Sequence, residues 1–213
     1  MDQTAAKQVS RKEGAKSRFS VRDIAFIGMF GAIASVLMFI EFPLPFAPSF
    51  YKLDLSEVPV LIGSFALGPV AGIFIELIKI LIHFIIKGTT TAGVGEIANF
   101  LIGISFILPA SIIYRTGKTK KRAVIGMALG TASMIVVGCL MNAFVLLPAY
   151  AAAFGMPIDT LIGMGTAVNK AVNNLFTFAV LCVAPFNLLK GVLVSLITFL
   201  LYKHISGFIK RYR

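Results

Sequence analysis

The stretch Arg22-Asp-Ile-Ala-Phe-Ile-Gly-Met-Phe-Gly-Ala-Ile-Ala-Ser-Val-Leu-Met-Phe-Ile40 decides how the rest of the chain is interpreted. After its first two residues it carries no charge, and its length approaches the ~20 apolar residues that a helix needs to cross a bilayer. A basic segment precedes it, as in a signal peptide, but the apolar core of a signal peptide has only ~7–15 residues. We therefore predict a transmembrane helix over residues 22–40, preceded by a basic tail at residues 1–20.

The composition of the whole chain agrees with a membrane protein. Of its 213 residues, 58% are apolar and only 14% are charged, whereas a typical soluble domain has ~25% charged residues. A soluble fold of this size could not bury so much apolar surface, which excludes an ordinary globular enzyme. The length fits one domain, which in a membrane means one helical bundle.

Further apolar runs define the other elements of this bundle. They lie at residues 55–68, 70–87, 95–114, 122–147 and 186–205. The dipeptide Gly68-Pro69 predicts a tight turn between the first two of them. The segment 167–184, which precedes Pro185, is apolar but contains three asparagines and a lysine, so we interpret it as a re-entrant or interfacial helix on the outer side. The prediction is an all-α membrane protein with a six-transmembrane-helix bundle over residues 21–213.

The placement of the basic residues predicts the orientation of the bundle. Of the 20 Lys and Arg residues, 15 lie in three segments: the N-terminal tail through Arg22, the loop 115–122, and the C-terminal tail from Lys203. With six helices all three segments fall on one side, and the positive-inside rule makes that side cytoplasmic. Both termini are therefore predicted to be cytoplasmic, and the net charge of +11 requires no nucleic-acid partner.

Motifs of catalysis and metal binding are missing from the sequence. The segment Arg115-Thr-Gly-Lys-Thr119 resembles the end of a Walker A loop, but the position that needs the first glycine is Ile112. The two cysteines form no CxxC pair, and there are only two histidines. We predict no catalytic residues and no metal site.

Polar residues inside apolar runs are the candidate binding residues, because an ionisable group near the bilayer centre costs at least ~2.5–3.5 kcal/mol on insertion scales. Asn142 lies near the outer end of the fifth predicted helix, and Asn187 and Lys190 lie one turn apart at the outer start of the sixth. Amides and one cation suit the hydroxyls and carbonyls of a neutral ligand. A purely structural network is the alternative.

Three other groups are also candidates. Lys79 shares a helix face with Glu76 and His83 and either forms an ion pair with Glu76 or contacts a ligand. Glu96 and Asn99 share a face at the start of the fourth helix and either bind a ligand or bond to neighbouring helices. The proline- and aromatic-rich loop 41–54 is either an interfacial anchor or a cap over an outward-facing pocket; it supplies Tyr51 and Asp54, and Asp54 is also a plausible cap for the second helix.

The first helix carries small residues at Ala25, Gly28 and Ala32, with Gly31 and Ala34 on the neighbouring face. Such a small-xxx-small surface lets helices approach closely. From the residues alone, packing within the bundle and docking to a partner are equally good interpretations.

Four motifs together resemble a known family. They are Phe50-Tyr-Lys-Leu-Asp54-Leu-Ser-Glu-Val-Pro59, Gly68-Pro-Val-Ala-Gly72, Gly95-Glu-Ile-Ala-Asn99-Phe and Pro185-Phe-Asn187-Leu-Leu-Lys190-Gly191. With Asn142, and over roughly residues 20–210, the chain resembles the substrate-binding S components of energy-coupling factor (ECF) transporters of the riboflavin-specific type.

This resemblance implies a vitamin-binding subunit without catalysis in a bacterial cytoplasmic membrane. Riboflavin would be its transported ligand rather than a cofactor, bound by Asn142, Asn187 and Lys190 in an outward-facing pocket closed by the loop 41–54. The small-residue face of the first helix would dock an energy-coupling transmembrane subunit, which is itself joined to two ATP-binding subunits. The alternatives are an S component for another vitamin and a stand-alone secondary transporter, which would need Glu76 or Glu96 as its ion-coupling carboxylate.

Overall fold

The computed structural model describes the backbone of residues 19–89 and 92–211, and the side chains of these residues except 202–206 and 208–211. The predicted basic tail lies outside the described residues up to residue 18. The fold is almost entirely helical, and its only sheet in the described ranges is a hairpin of two-residue strands.

The first helix and the hairpin that follows it lead the chain towards the second helix. Helix α1 (Val21–Met38) begins with a capping box, in which the Ser20 hydroxyl accepts from the Asp23 amide and the Asp23 carboxylate accepts from the Ser20 amide. Strand β1 (Phe42–Pro43) then pairs with the antiparallel strand β2 (Lys52–Leu53).

Helices α2 (Glu57–Leu67) and α3 (Pro69–Lys87) meet at the predicted tight turn. Gly68 adopts φ +106° there, a conformation that residues with a Cβ rarely adopt, and Pro69 starts α3 with its φ already fixed for a helix. Helix α2 is buried along most of its length, but its eleven residues extend only ~17 Å.

The remaining helices differ from the predicted boundaries. Helix α4 spans Val94–Arg115, and α5 continues without a break from Lys120 to Phe154. Helix α6 covers Ile158–Val168. The prediction of a separate helix over 167–184 is wrong, because residues 169–174 form a turn and the chain from Leu175 onward belongs to α7, which runs to Arg211.

Helices α5 and α7 share an irregularity that explains this error. Each contains a five-residue π-helical segment, Asn142–Leu146 in α5 and Ala179–Val183 in α7, and a proline follows two residues after each segment. A proline inside a helix clashes with the carbonyl four residues before it, and the wider π turn accommodates the ring. Pro185 therefore lies within α7, where the sequence pattern predicts a boundary.

The described residues contain five helices that are long and apolar enough to cross a membrane: α1, α3, α4, α5 and the Leu175–Leu201 part of α7. One apolar core is shared by helices α1 through α5 and α7. A second core lies among the end of α5, helix α6 and the start of α7. Phe50 and Tyr51 of the loop before β2 pack against the second core. The five apolar helices agree with the predicted helical membrane protein, and the count of six crossings stays a prediction.

Candidate functional site

A cavity of about 190 Å³ opens among the loop 41–54, the ends of α1 and α3, the start of α4, the part of α5 around Asn142, and the part of α7 that follows Pro185. This volume is far larger than the ~10–15 Å³ that holds one water molecule, so the cavity has space for an organic ligand. Seven of the eight predicted ligand-binding residues line it: Tyr51, Asp54, Glu96, Asn99, Asn142, Asn187 and Lys190. The residues that the sequence pattern selected separately thus converge on one space.

Asn142 is held at the first position of the π segment of α5. Its Oδ1 accepts a hydrogen bond from the Tyr51 hydroxyl, and its Nδ2 donates to the Gly138 carbonyl over 2.8 Å. Burial raises the pKa of Tyr51 well above its usual value, which keeps the phenol a neutral donor. The loop 41–54 is therefore joined to the wall of the cavity by a side chain that itself faces the cavity.

Asn187 lies on the turn of α7 that follows Pro185, and its amide packs against Gly138 of α5. Its side chain is only 3% exposed, and its Nδ2 has no hydrogen-bond partner among the described residues. A Cβ on residue 138 would lie 2.2 Å from this nitrogen, so glycine at that position is what allows the amide to pack there. A buried amide donor without a partner is rare in folded proteins and points to a ligand acceptor.

Lys190 lies one turn further along α7 and forms a buried ion pair with Asp54. The Lys190 Nζ lies 2.9 Å from Asp54 Oδ2, while Asp54 Oδ1 accepts from the Ser56 amide and hydroxyl. Burial raises the pKa of Asp54, but the positive charges of Lys190 and Lys79 outweigh this effect and lower it to about 2. Asp54 therefore does more than form the turn before α2, because it also joins that turn to α7.

Lys79 is the predicted ligand-binding residue that does not line the cavity. Its Nζ lies 2.7 Å from Glu76 Oε1, as the ion-pair interpretation expected, and equally 2.7 Å from Glu57 Oε1. All three side chains are buried. The structure therefore does not bring Lys79 to the cavity: two carboxylates contact its ammonium, and one of them, Glu57, lines the cavity in its place.

Two lining residues, Glu57 and His83, are functional candidates that the sequence pattern did not select. Glu57 Oε2 is buried and has no hydrogen-bond partner among the described residues. The same is true of both ring nitrogens of His83. The sequence gives no reason to select Glu57, because acidic residues are common in the first turn of a helix. The signal for His83 was its shared face with Glu76 and Lys79.

The cavity has two sides of different chemistry. Aromatic rings surround the Asn142 side: Phe50, Tyr51, Tyr150 and Phe186 line the cavity, and the Phe50 ring lies 4.7 Å from that of Tyr51 and 6.0 Å from that of Tyr150. Ionic and polar groups line the side formed by the end of α3 and the start of α4, where Glu96 accepts from the Thr89 hydroxyl over 3.1 Å.

At the mouth of the ionic side, Glu41 accepts hydrogen bonds from two lysines. Lys52 of β2 lies 2.6 Å from Glu41 Oε1, and Lys87 at the end of α3 contacts the same oxygen. Burial raises the pKa of Glu41, but these two lysines lower it below its usual value. The hairpin is thereby tied to the end of α3, which makes the loop 41–54 a cover of the cavity.

The small residues of α1 divide between two faces. Ala25 and Ala32 are exposed, and a Cβ on Gly28 would meet no atom within 4 Å. A Cβ on Gly31, in contrast, would lie 2.5 Å from the Ile78 side chain, and Ala34 is fully buried. The Gly31 face packs the bundle, whereas the surface formed by Ala25, Gly28 and Ala32 is open.

Comparison with known proteins shows the family of this chain. Residues 22–202 match the family described as "ECF transporter, substrate-specific component". The chain is 39% identical over 185 residues to "Riboflavin transporter RibU" of Staphylococcus aureus (strain TCH60), an alignment that covers 87% of this chain and 90% of the relative. It is 32% identical over 194 residues to "Riboflavin transporter FmnP" of Bacillus subtilis (strain 168), covering 91% and 96%.

A solved structure is also similar along nearly the whole chain. It is described as "Structure and mechanism of the S component of a bacterial ECF transporter", is 36% identical, and superposes with a TM-score of 0.69 over 89% of this chain and 98% of its own. The family consists of transport proteins rather than enzymes, and the apolar helices make this chain an integral membrane protein. The chain therefore belongs to the substrate-specific components, or S components, of ECF transporters.

Proposed function

We propose that this chain is the riboflavin-binding S component of an ECF-type importer in a bacterial cytoplasmic membrane. The observation that carries the proposal is the convergence of Asn142, Asn187 and Lys190 on one cavity, in a chain whose relatives are named riboflavin transporters. Riboflavin is the cargo of such a protein, so the chain needs no cofactor and no catalytic group.

The two sides of the cavity suit the two parts of riboflavin. Its flat isoalloxazine ring can stack on the aromatic side, because offset stacking of rings is favourable. The ring carbonyls and the ribityl hydroxyls need donors, and Lys190 together with the unpartnered Nδ2 of Asn187 supplies them. The loop 41–54 then encloses the vitamin from the outer side.

Delivery of the vitamin requires other chains in this proposal. The sequence has no intact Walker A loop, so the energy comes from two ATP-binding subunits through an energy-coupling transmembrane subunit. The open small-residue surface of α1, formed by Ala25, Gly28 and Ala32, supports docking rather than internal packing, because the bundle leaves it uncovered. Close approach of a partner helix is what such a surface allows.

Six crossings with both termini cytoplasmic fit this arrangement. Helix α2 alone is shorter than the ~30 Å hydrocarbon core, but Asp54 and Ser56, which precede it, are also buried. Helix α2 is buried along most of its length, and the turn that follows it brings Gly68 close to Arg115 at the end of α4.

The test of this function is titration of the purified protein with riboflavin, followed by quenching of flavin fluorescence. We expect saturable binding and a yellow protein that keeps its flavin absorbance after washing. Binding of a different vitamin, with no response to riboflavin, would assign the chain to another S component. Concentrative uptake by this protein alone in ATP-free vesicles would favour a secondary transporter.

The docking surface has its own matched pair of variants. Gly28→Leu adds bulk where no atom lies within 4 Å, so we expect normal folding and riboflavin binding but weaker assembly with the transmembrane subunit. Gly31→Leu meets Ile78 and should disturb the fold itself. Co-purification with the partner measures assembly, and normal assembly of Gly28→Leu would contradict a docking role.

A further inference from the structure

His83 is a buried side chain of the cavity wall to which the proposed function assigns no role. It lies on α3, is 6% exposed, and lines the cavity. Neither Nδ1 nor Nε2 has a hydrogen-bond partner in the described part of the chain. Buried polar atoms are nearly always satisfied, so a histidine with two free nitrogens at a cavity wall indicates that the missing partner is a ligand.

The ring of His83 packs against the ring of Phe39, the residue that follows α1. The Phe39 ring lies at a centroid distance of 4.9 Å with an interplanar angle of 37°. Lys87 follows one turn later on the same helix face, and Glu41, which contacts Lys87, lies at the cavity mouth. His83 therefore lies on the ionic side of the cavity, away from the aromatic group around Asn142.

The chemistry of a neutral imidazole narrows the group that it can recognise. Such a ring presents one N–H donor and one nitrogen acceptor. A hydroxyl group is both donor and acceptor and can satisfy either nitrogen, and a polyol chain offers several hydroxyls at adjacent carbons. The aromatic side takes the flat ring in the proposed function, which leaves the flexible chain of the ligand for the side that contains His83.

We propose that His83 recognises the ribityl chain of riboflavin by hydrogen bonding to one of its hydroxyls. This inference rests on the proposed function, because it assigns one part of the same ligand to one side of the same cavity. In it His83 determines specificity: it distinguishes a flavin with a hydroxylated chain from a flavin ring without one.

The experiment compares two flavins that differ in this chain. Riboflavin carries the ribityl hydroxyls, and lumiflavin has a methyl group in their place. His83→Phe preserves an aromatic ring beside Phe39 and removes both nitrogens. We expect it to weaken riboflavin binding about 5- to 150-fold, the equivalent of leaving one buried polar group unsatisfied, and to leave lumiflavin affinity unchanged. Fluorescence quenching of each flavin is the measurement.

Two further variants separate recognition from folding. His83→Gln keeps a donor and an acceptor and should recover most of the riboflavin affinity. Phe84→Leu changes the adjacent, exposed residue, which does not line the cavity, and should affect neither flavin. Equal losses for riboflavin and lumiflavin in His83→Phe, or no loss for either, would overturn the assignment.

The proposed function is tested separately by the wild-type protein in the same titration. A wild-type chain that binds neither flavin contradicts the proposed function. Wild-type binding of riboflavin combined with an unaffected His83→Phe contradicts only the role of His83.

Discussion

Lys79 and Lys190 are both buried lysines with acidic partners, yet their surroundings differ. Lys79 is 1% exposed, contacts two carboxylates and lies behind the cavity wall. Lys190 is 7% exposed, contacts the single carboxylate of Asp54 and lines the cavity. A lysine ammonium has three donors, so the Lys190 contact with Asp54 leaves capacity for a ligand. The comparison separates a cluster that we expect to hold the fold from a cluster that we propose to bind the ligand.

The largest effect should follow from breaking the cluster of Lys79 with Glu57 and Glu76. Lys79→Met leaves two buried carboxylates without a counter-charge, and removal of one partner of a buried ion pair costs about 3–5 kcal/mol. We expect a large loss of thermal stability in detergent, measured by unfolding of the purified protein.

The control for this prediction removes the negative charges first. In a Glu57→Gln/Glu76→Gln background, Lys79→Met should cost much less, because the residues act as one network. Single Glu76→Gln should likewise disturb folding more than riboflavin affinity. A stable Lys79→Met protein that has lost its ligand would instead make Lys79 a binding residue.

The binding cluster should respond in affinity rather than in stability. Asn142→Ala and Asn187→Ala should each weaken riboflavin binding about 5- to 150-fold, because a ligand group of riboflavin then lacks its partner. Lys190→Ala should reach or exceed the upper end of this range, since the missing partner is charged. Fluorescence titration of folded variants measures the effect.

Lys170→Ala is the matched control for Lys190, because Lys170 is exposed and does not line the cavity. It should bind riboflavin like the wild type. Unchanged affinity in all three cavity variants would remove the binding role of this cluster.

The acid partner of Lys190 allows a prediction about pH. The pKa of Asp54 is about 2 in the folded chain, below its ordinary value of 3.8, so the folded state favours the carboxylate. Its contribution, about 2 kcal/mol, is complete above pH ~4 and disappears as the pH falls towards ~2. The difference in melting temperature between wild type and Asp54→Asn should therefore be constant from neutral to mildly acidic pH and shrink below pH ~4. A difference that already shrinks near neutral pH would contradict this account.

The contrast between the clusters also shows what could be inferred from the sequence. The long apolar runs predicted α1, α3 and α4 well, and Asn142, Asn187 and Lys190 were selected because polar groups in such runs are costly. Their convergence with Asp54 could not be derived, because the ion pair joins residues 136 positions apart. The contact of Glu57 with Lys79 could not be derived for the same reason, because Glu57 lies on a different helix from Lys79 and Glu76.

Backbone irregularities limited the prediction of the outer region. Pro148 and Pro185 are both accommodated by π segments, so α5 and α7 continue through positions where a proline ordinarily indicates a helix end. Asn142 stands at the start of one of these segments. The π segment that made the boundary prediction wrong thus also positions Asn142, a proposed binding residue, and π turns occur frequently at functional sites.

The smallest effect should come from Glu41, whose contacts with Lys52 and Lys87 form the most exposed ionic cluster of the cavity. The side chains of the two lysines are 43% and 34% exposed, and ion pairs of this kind contribute only about 0–1 kcal/mol. Glu41→Gln should therefore keep the thermal stability and weaken riboflavin binding less than about fivefold.

High salt should distinguish the cluster of Glu41, Lys52 and Lys87 from the buried ion pairs. At about 1 M salt the screening length falls to ~3 Å, so the affinity difference between wild type and Glu41→Gln should vanish. The difference produced by Lys190→Ala should persist, because buried pairs are screened much less. If Glu41→Gln instead caused a loss as large as that of Lys190→Ala, and salt did not reduce it, Glu41 would contact the ligand directly rather than only tie the hairpin to the end of α3.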